Sequence, residues 1–164
     1  MGFEWGVKDY LDKKAIAHTL GETQDNGRHD ERKSIEYSLV SGAFKDLYLK
    51  LRGRFSLNDS NARYLDFYDY TSFEVAPSIS YKLIDTVDLF TGFSYLRKKY
   101  SSRTVIGGDE REENTIYSAN AGVRVAVNKK NSVLLNYIYR NGSSNEALHK
   151  YTENVISCGW QYNF

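Results

Sequence analysis

The chain has one proline, one cysteine and one methionine in 164 residues. With Cys158 alone, no internal disulfide can form, and cysteine usage says nothing about compartment. With Pro77 alone, almost nothing bars the backbone from continuous ladder pairing. No stretch approaches the roughly 18 apolar residues that a membrane-spanning helix requires. Charge of neither sign dominates: 22 Lys and Arg stand against 21 Asp and Glu. There is no basic run that could track a phosphate backbone, so nucleic acid is not an expected partner. Met1-Gly2-Phe3-Glu4 has neither a basic n-region nor an apolar h-region. An exported protein would therefore have lost its signal, or the chain is a piece of something longer.

Aromatic residues, by contrast, are abundant: they make up 15% of the chain, and 14 of them are tyrosine. The dominant period is two. From Leu47, the positions Leu47, Leu49, Leu51, Gly53, Phe55 and Leu57 alternate with Tyr48, Lys50, Arg52, Arg54 and Ser56. Successive strand side chains point to opposite faces, so one face is apolar and the other charged; a helix would scatter these leucines around its circumference.

The same alternation recurs along the chain. Ile35, Tyr37, Leu39 and Ala43 oppose Glu36, Ser38 and Gly42; Phe73, Val75, Pro77, Ile79 and Tyr81 oppose Ser72, Glu74, Ser78 and Ser80. Val87, Leu89, Phe93 and Tyr95 oppose Asp88, Gly92 and Ser94. Further on come Tyr117 to Val125, Val133 to Tyr139, and Ile156 to Phe164, with a weaker opening segment at Phe3, Trp5 and Val7. These segments predict about eight strands. Pro77 predicts a local bulge or kink.

The connections alternate in length. Tight ones fall near Lys45-Asp46, Leu83–Thr86 and Asn128–Asn131. Long polar ones are expected at Leu11–Lys33, Asn58–Tyr70, Ser101–Asn114 and Gly142–Lys150. Short turns on one side and long loops on the other are the habit of outer-membrane barrels. The expectation is an all-β, transmembrane, antiparallel up-and-down β-barrel of about eight strands, a single domain over residues 1–164, in the bacterial outer membrane. The mean hydropathy of −0.58 does not oppose this, because only alternate residues of such a barrel meet lipid.

Alternation alone does not say which face is inside. A soluble barrel puts its apolar face inward and a membrane barrel puts it outward. Small residues on the polar side (Ser38, Gly42, Ser78, Ser80, Gly92, Ser94, Ser118, Gly122, Ser157 and Gly159) suit a crowded interior. Aromatics toward strand ends (Phe67, Tyr68, Tyr70, Tyr81, Tyr95, Tyr100, Tyr139, Tyr151 and those from Trp160 to Phe164) suit interfacial girdles. Both favour the membrane sign over a soluble ligand-binding barrel.

The C-terminus, Trp160-Gln-Tyr162-Asn-Phe164, resembles the terminal strand signal of bacterial outer-membrane proteins. That resemblance implies recognition by the barrel-assembly machinery through Trp160, Tyr162 and Phe164. From Phe67 onward, the segments Ala76–Tyr81, Phe93–Tyr100, Val133–Tyr139, Asn141–Asn145 and Asn154–Phe164 resemble the C-terminal barrel of exopolysaccharide-associated outer-membrane porins. Members of that group are usually longer. The resemblance implies the C-terminal part of a larger pore, with polysaccharide as cargo.

No motif carries catalysis. His18, His29 and His149 fall in expected loops, where solvated side chains are the simpler reading, and no metal or cofactor is expected. Gly107-Gly108 precedes no helix and cradles no phosphate. Cys158 is expected on the apolar face, as a small buried hydrophobe. The informative polar residues are charged: Glu36, Lys50, Arg52, Arg54, Glu74, Arg124, Arg140 and Glu153 share one face and are expected to line a lumen. In eight strands they would pair and fill it, so that truncating fully buried Glu74 would cost about 3–5 kcal/mol. A structural or surface-interaction role through the loops follows from that filled lumen; in a larger barrel the same cations would attract an anionic cargo.

Deleting Phe164 is expected to impair membrane insertion in cells more than refolding into detergent, since its burial is worth about 1.5–3 kcal/mol at most. Quantifying folded protein in both settings checks this; equal, near-complete loss in both would make the role chiefly structural.

Overall fold

The computed structural model describes residues 2–16, 23–61 and 68–162. Eight strands follow in order: β1 (Gly2–Ile16), β2 (Thr23–Phe44), β3 (Leu47–Ser60), β4 (Tyr70–Ile84), β5 (Val87–Thr104), β6 (Arg111–Ala126), β7 (Asn131–Ser144) and β8 (Tyr151–Tyr162). Each pairs antiparallel with the next in a single up-and-down sheet, and the described part of each expected segment lies on one of them.

The ladders preserve the parity of the side chains across the sheet. One row runs Glu36, Arg54, Glu74, Leu96, Ile116, Gly142 and Tyr151. Outside the register shifts near strand ends (Tyr10 to Ile16, Ser41 to Phe44, Lys82 to Ile84 and Lys99 to Thr104), the even-numbered described residues of β1–β7 and the odd-numbered ones of β8 share one largely polar face, and the others share an apolar face. The turn at Lys45-Asp46 is as short as expected, with Asp46 at φ 70°, a left-handed conformation that Asp tolerates better than bulky residues do.

Strands run further than the alternation suggested. Much of Leu11–Lys33 is strand rather than loop, as are Ser101–Thr104, Arg111–Asn114 and Gly142–Ser144; Ala147–His149 forms a 3-10 turn. Once a hairpin fixes the register, backbone hydrogen bonds propagate whatever the side chains are. The apolar alternation disappears first, because residues such as Arg28–Lys33, Ser101–Thr104 and Arg111–Asn114 are polar at successive positions.

Pro77 causes no bulge. It pairs with Leu51 in register, and the β4–β5 ladder is interrupted between Val75 and Ser78 and resumes in the same register. The missing N–H thus falls on the β5 side and costs ladder bonds without shifting the strand.

The expected closure is also corrected. Among the described residues no ladder joins β1 to β8, so the sheet is an open arc with two edges. Closing eight strands would crowd the polar face into a space just wide enough for its own side chains. Its cations outnumber the carboxylates bonded to them there, and burying the surplus charge is costly.

The arc curls toward its polar side. Asp30, Ser34, Ser56, Asn58, Tyr100, Glu112, Ser132 and Ser144 are buried, and all belong to that face. On the other side Leu39 is 65%, Trp160 65% and Ile156 76% exposed.

Glycines let rings lie flat against the sheet: Tyr37 over Gly53, Phe90 over Gly122 and Tyr151 over Gly142. A methyl group on Gly122 would overlap the Phe90 ring and come within 2.6 Å of the Leu135 carbonyl oxygen. Gly122→Ala is expected to destabilise by about 1–3 kcal/mol through overpacking, read from denaturant midpoints, whereas an unchanged midpoint would mean that the ring moves freely.

Candidate functional site on the polar face

The eight charged residues assigned to one face all lie on the polar face, and the fold brings six of them into pairs. Arg54 donates to Glu36 at 2.7 Å, Arg52 to Glu74 at 3.0 Å and Arg140 to Glu153 at 2.7 Å. Arg54 stands opposite both Glu36 and Glu74 in register but bonds Glu36, leaving Glu74 to Arg52 on the diagonal. Lys50 and Arg124 make no side-chain hydrogen bond or ion pair among the described residues, although Asp88 lies opposite Arg124.

These pairs are not buried: the side chains of Arg52 and Glu74 are 42% and 21% exposed. The expected 3–5 kcal/mol for Glu74→Ala is therefore replaced by the roughly 0–1 kcal/mol typical of solvated pairs. Open cavities lie beside the two unpaired cations. One of ≈ 280 Å³ is lined by Lys50, Arg52, Ser78 and Asn120; another of ≈ 500 Å³ is lined by Tyr48, Lys82, Asp88 and Arg124.

A denser cluster at the long-loop end was missed by the sequence reading. Tyr70 and Tyr100, expected in an outer girdle, are on the polar face instead, with ring centroids 5.9 Å apart. The Lys98 ammonium lies 3.7 Å from the Tyr70 ring centroid and 4.4 Å from that of Tyr100, and donates to the Tyr100 hydroxyl at 2.7 Å. Among the described residues no carboxylate pairs with it. Burial, with Arg103 nearby, pulls its pKa down to about 8.

Beside it, Arg28 grips Asp30 through two hydrogen bonds of 2.9 and 2.5 Å and stacks on Tyr68. Burial raises the pKa of Asp30, but bonds from Arg28, Ser60 and Asn58 outweigh this and hold it below the usual range. Glu112, 1% exposed, accepts from Arg103 at 2.5 Å, from Asn114 at 2.9 Å and from His149 Nδ1 at 2.8 Å. His149 is thus a tethered side chain rather than a free loop residue, and His29 lies within β2; His18 lies outside the described residues. The available signal was the even parity of Lys98 and Tyr100, which continues the polar face beyond the last apolar residue of β5.

The apolar face carries a belt with a sharp margin. Toward the loop end its last large apolar residues are Leu57, Phe73, Tyr95, Tyr117, Tyr139 and Ile156, on β3 to β8 in turn. The next residues on the same face are Asp59, Thr71, Arg97, Thr115, Asn141 and Asn154. This margin slants against the ladders. The row through Ile156 passes Tyr137, Ala121, Thr91 and Ile79 and meets β3 at Leu49, eight residues from Leu57. Eight residues of rise across five strand spacings corresponds to a tilt of about 45°. At that tilt Leu47–Leu57 spans a height of about 24 Å.

Cys158 is on this face as expected, but exposed, because none of the described residues covers the belt. Trp160 and Tyr162 are on it too, with the Trp160 indole donating to Asn131 at 3.1 Å; Phe164 lies outside the described residues. The chain matches no known protein family, no curated protein and no solved structure.

Lys98 sets a pH dependence. Facing it are Arg28 and Asp30 from β2, Tyr70 from β4, Tyr100 and Arg103 from β5, and Glu112 from β6. The unfolded lysine keeps its proton to about pH 10.4, whereas the folded one loses it near 8. Between these values the unfolded state binds more protons, so stability from this group rises with pH; below pH 8 both states are charged and the burial cost is complete. The melting midpoint of the wild type should therefore rise relative to that of Lys98→Met between about pH 8 and 10. Parallel curves across that range would show that the ammonium is not desolvated.

Proposed function

We propose that this chain forms wall strands of a bacterial outer-membrane β-barrel, its apolar face against lipid and its polar face toward an aqueous lumen. The observation that carries this reading is the uncovered, slanted belt. On the order of twenty large apolar side chains lie exposed on that face, and at about 1.5–3 kcal/mol each their hydration costs tens of kcal/mol. A lipid surface removes that cost. A height of about 24 Å and a tilt of about 45° fit the roughly 25 Å apolar band and 35–45° tilt of membrane barrels. Curvature toward the polar side opposes a soluble barrel, whose apolar face would be enclosed.

A second observation bears on which barrel this is. Two open edges favour the reading as part of a larger barrel over a filled eight-stranded barrel acting through its loops. Unpaired edge groups in hydrocarbon cost several kcal/mol each, so further strands must meet β1 and β8. In such a wall the solvated ion pairs border water, and Lys50 and Arg124 leave a positive surplus that favours anionic cargo. Outer-membrane lipid and the barrel-assembly machinery are the partners this reading requires.

Cysteine labelling in liposomes tests the two faces. Cys158 on the belt should resist a membrane-impermeant maleimide. Ser78→Cys on the polar face, in a Cys158→Ser background, should react. The opposite pattern would assign the apolar face to an interior. In planar bilayers the assembled pore should prefer anions, and Lys50→Glu together with Arg124→Glu should lower that preference. Unchanged ion selectivity would remove these two cations from the conduction path.

A further inference from the structure

We propose that the cavity at the loop end of the polar face, between β1, β2 and β5, is an oxyanion-binding site in which Arg32 and Lys98 hold a carboxylate or phosphate group. It deepens the reading of the polar face as open to water and rests on it. The cavity measures ≈ 410 Å³, and Lys8, Arg28, Arg32 and Lys98 line it with a single carboxylate, Asp30. That carboxylate is already engaged by Arg28 through both of its oxygens. Arg32 is exposed and makes no hydrogen bond or ion pair among the described residues. Lys98 has exchanged part of its hydration for two ring faces and one hydroxyl. An ammonium has three donors, so N–H groups remain for a ligand.

The floor of the site follows from the ladders. Gly6, Arg32, Asn58, Tyr70 and Tyr100 form one row of the polar face, and Ser34, Ser56, Ser72 and Lys98 form the next toward the turns. Gly6 has no side chain, and nothing lies within 4 Å of where its Cβ would be, which leaves space beside Arg32. Ser34 and Ser56 satisfy each other at 2.8 Å and stay low against the sheet. The result is a recess with a surplus of charge-assisted donors and no spare carboxylate, chemistry that selects an oxyanion over a neutral or cationic solute. The Glu112 cluster beyond Tyr100 differs: its carboxylate is met by Arg103, Asn114 and His149.

Titrating the detergent-refolded full chain with inorganic phosphate and with succinate tests this, read by tyrosine fluorescence and by the shift in melting midpoint. Saturable binding of at least one anion is expected, and the tighter of the two identifies the oxyanion preferred. Arg32→Gln and Lys98→Met should each weaken it about tenfold or more, the value of one charge-assisted hydrogen bond. Lys50→Gln, on the same face but outside the cavity, should leave it unchanged. Arg32 is exposed, so its variant decides the matter if Lys98→Met fails to fold. No saturable response to either anion, or an equal effect of Lys50→Gln, would overturn the proposal. Cysteine labelling of the polar face separately tests the reading on which it rests, so the two can fail independently.

Discussion

Every larger feature of this protein depends on the seven ladders holding one parity through their central stretches from β1 to β8, with the register shifts confined to strand ends. A slip of one residue in any hairpin would move all later side chains to the wrong face. The tight turns at Lys45-Asp46 and Asp85-Thr86 and the bend at Val127–Lys130 fix three registers on one side of the sheet. Because parity holds, apolar residues far apart in sequence merge into one belt and charged ones into one face. Neither exists on any single strand.

Among the described residues the sheet has no second layer. An ordinary domain buries its apolar stripe against another element. Here the better-covered residues are polar, and the apolar ones lie uncovered. The cross-strand pairs Glu36–Arg54, Arg52–Glu74 and Arg140–Glu153 are solvated, and each contributes little to stability. Their effect is on the field along the polar face, where neutralising six charges leaves Lys50 and Arg124 prominent. At the loop end, Lys98 with its ring partners is more costly to hold, and costly arrangements of buried charge often mark sites of recognition.

The extension of strands beyond the apolar belt shows why loop lengths were hard to read. In β2 the apolar alternation begins at Ile35, while the ladder with β3 begins at Asp30. The pair Asp30 with Ser60 adds a side-chain hydrogen bond to its ladder, Arg32 with Asn58 adds none, and neither leaves a hydrophobic trace. Tyr70, Tyr100 and Tyr151 misled for a related reason: a tyrosine near a strand end suits an interface or a polar face equally, and only parity relative to the neighbouring strand distinguishes them.

Local sequence determined the strand period, the tight turns and which residues share a face, because side-chain alternation and turn chemistry act within a few residues. It therefore also determined that Glu36, Lys50, Arg52, Arg54, Glu74, Arg124, Arg140 and Glu153 would lie together. Tertiary structure decided which carboxylate each arginine takes, since opposite and diagonal partners are equivalent until side chains are placed. It also decided that the arc stays open, that it curls toward its polar side, and that Lys98 sits between two tyrosines with Arg32 across the same recess. Those outcomes depend on twist, curvature and distances between residues as many as 66 positions apart along the chain, as Arg32 and Lys98 are, and no local pattern encodes such distances.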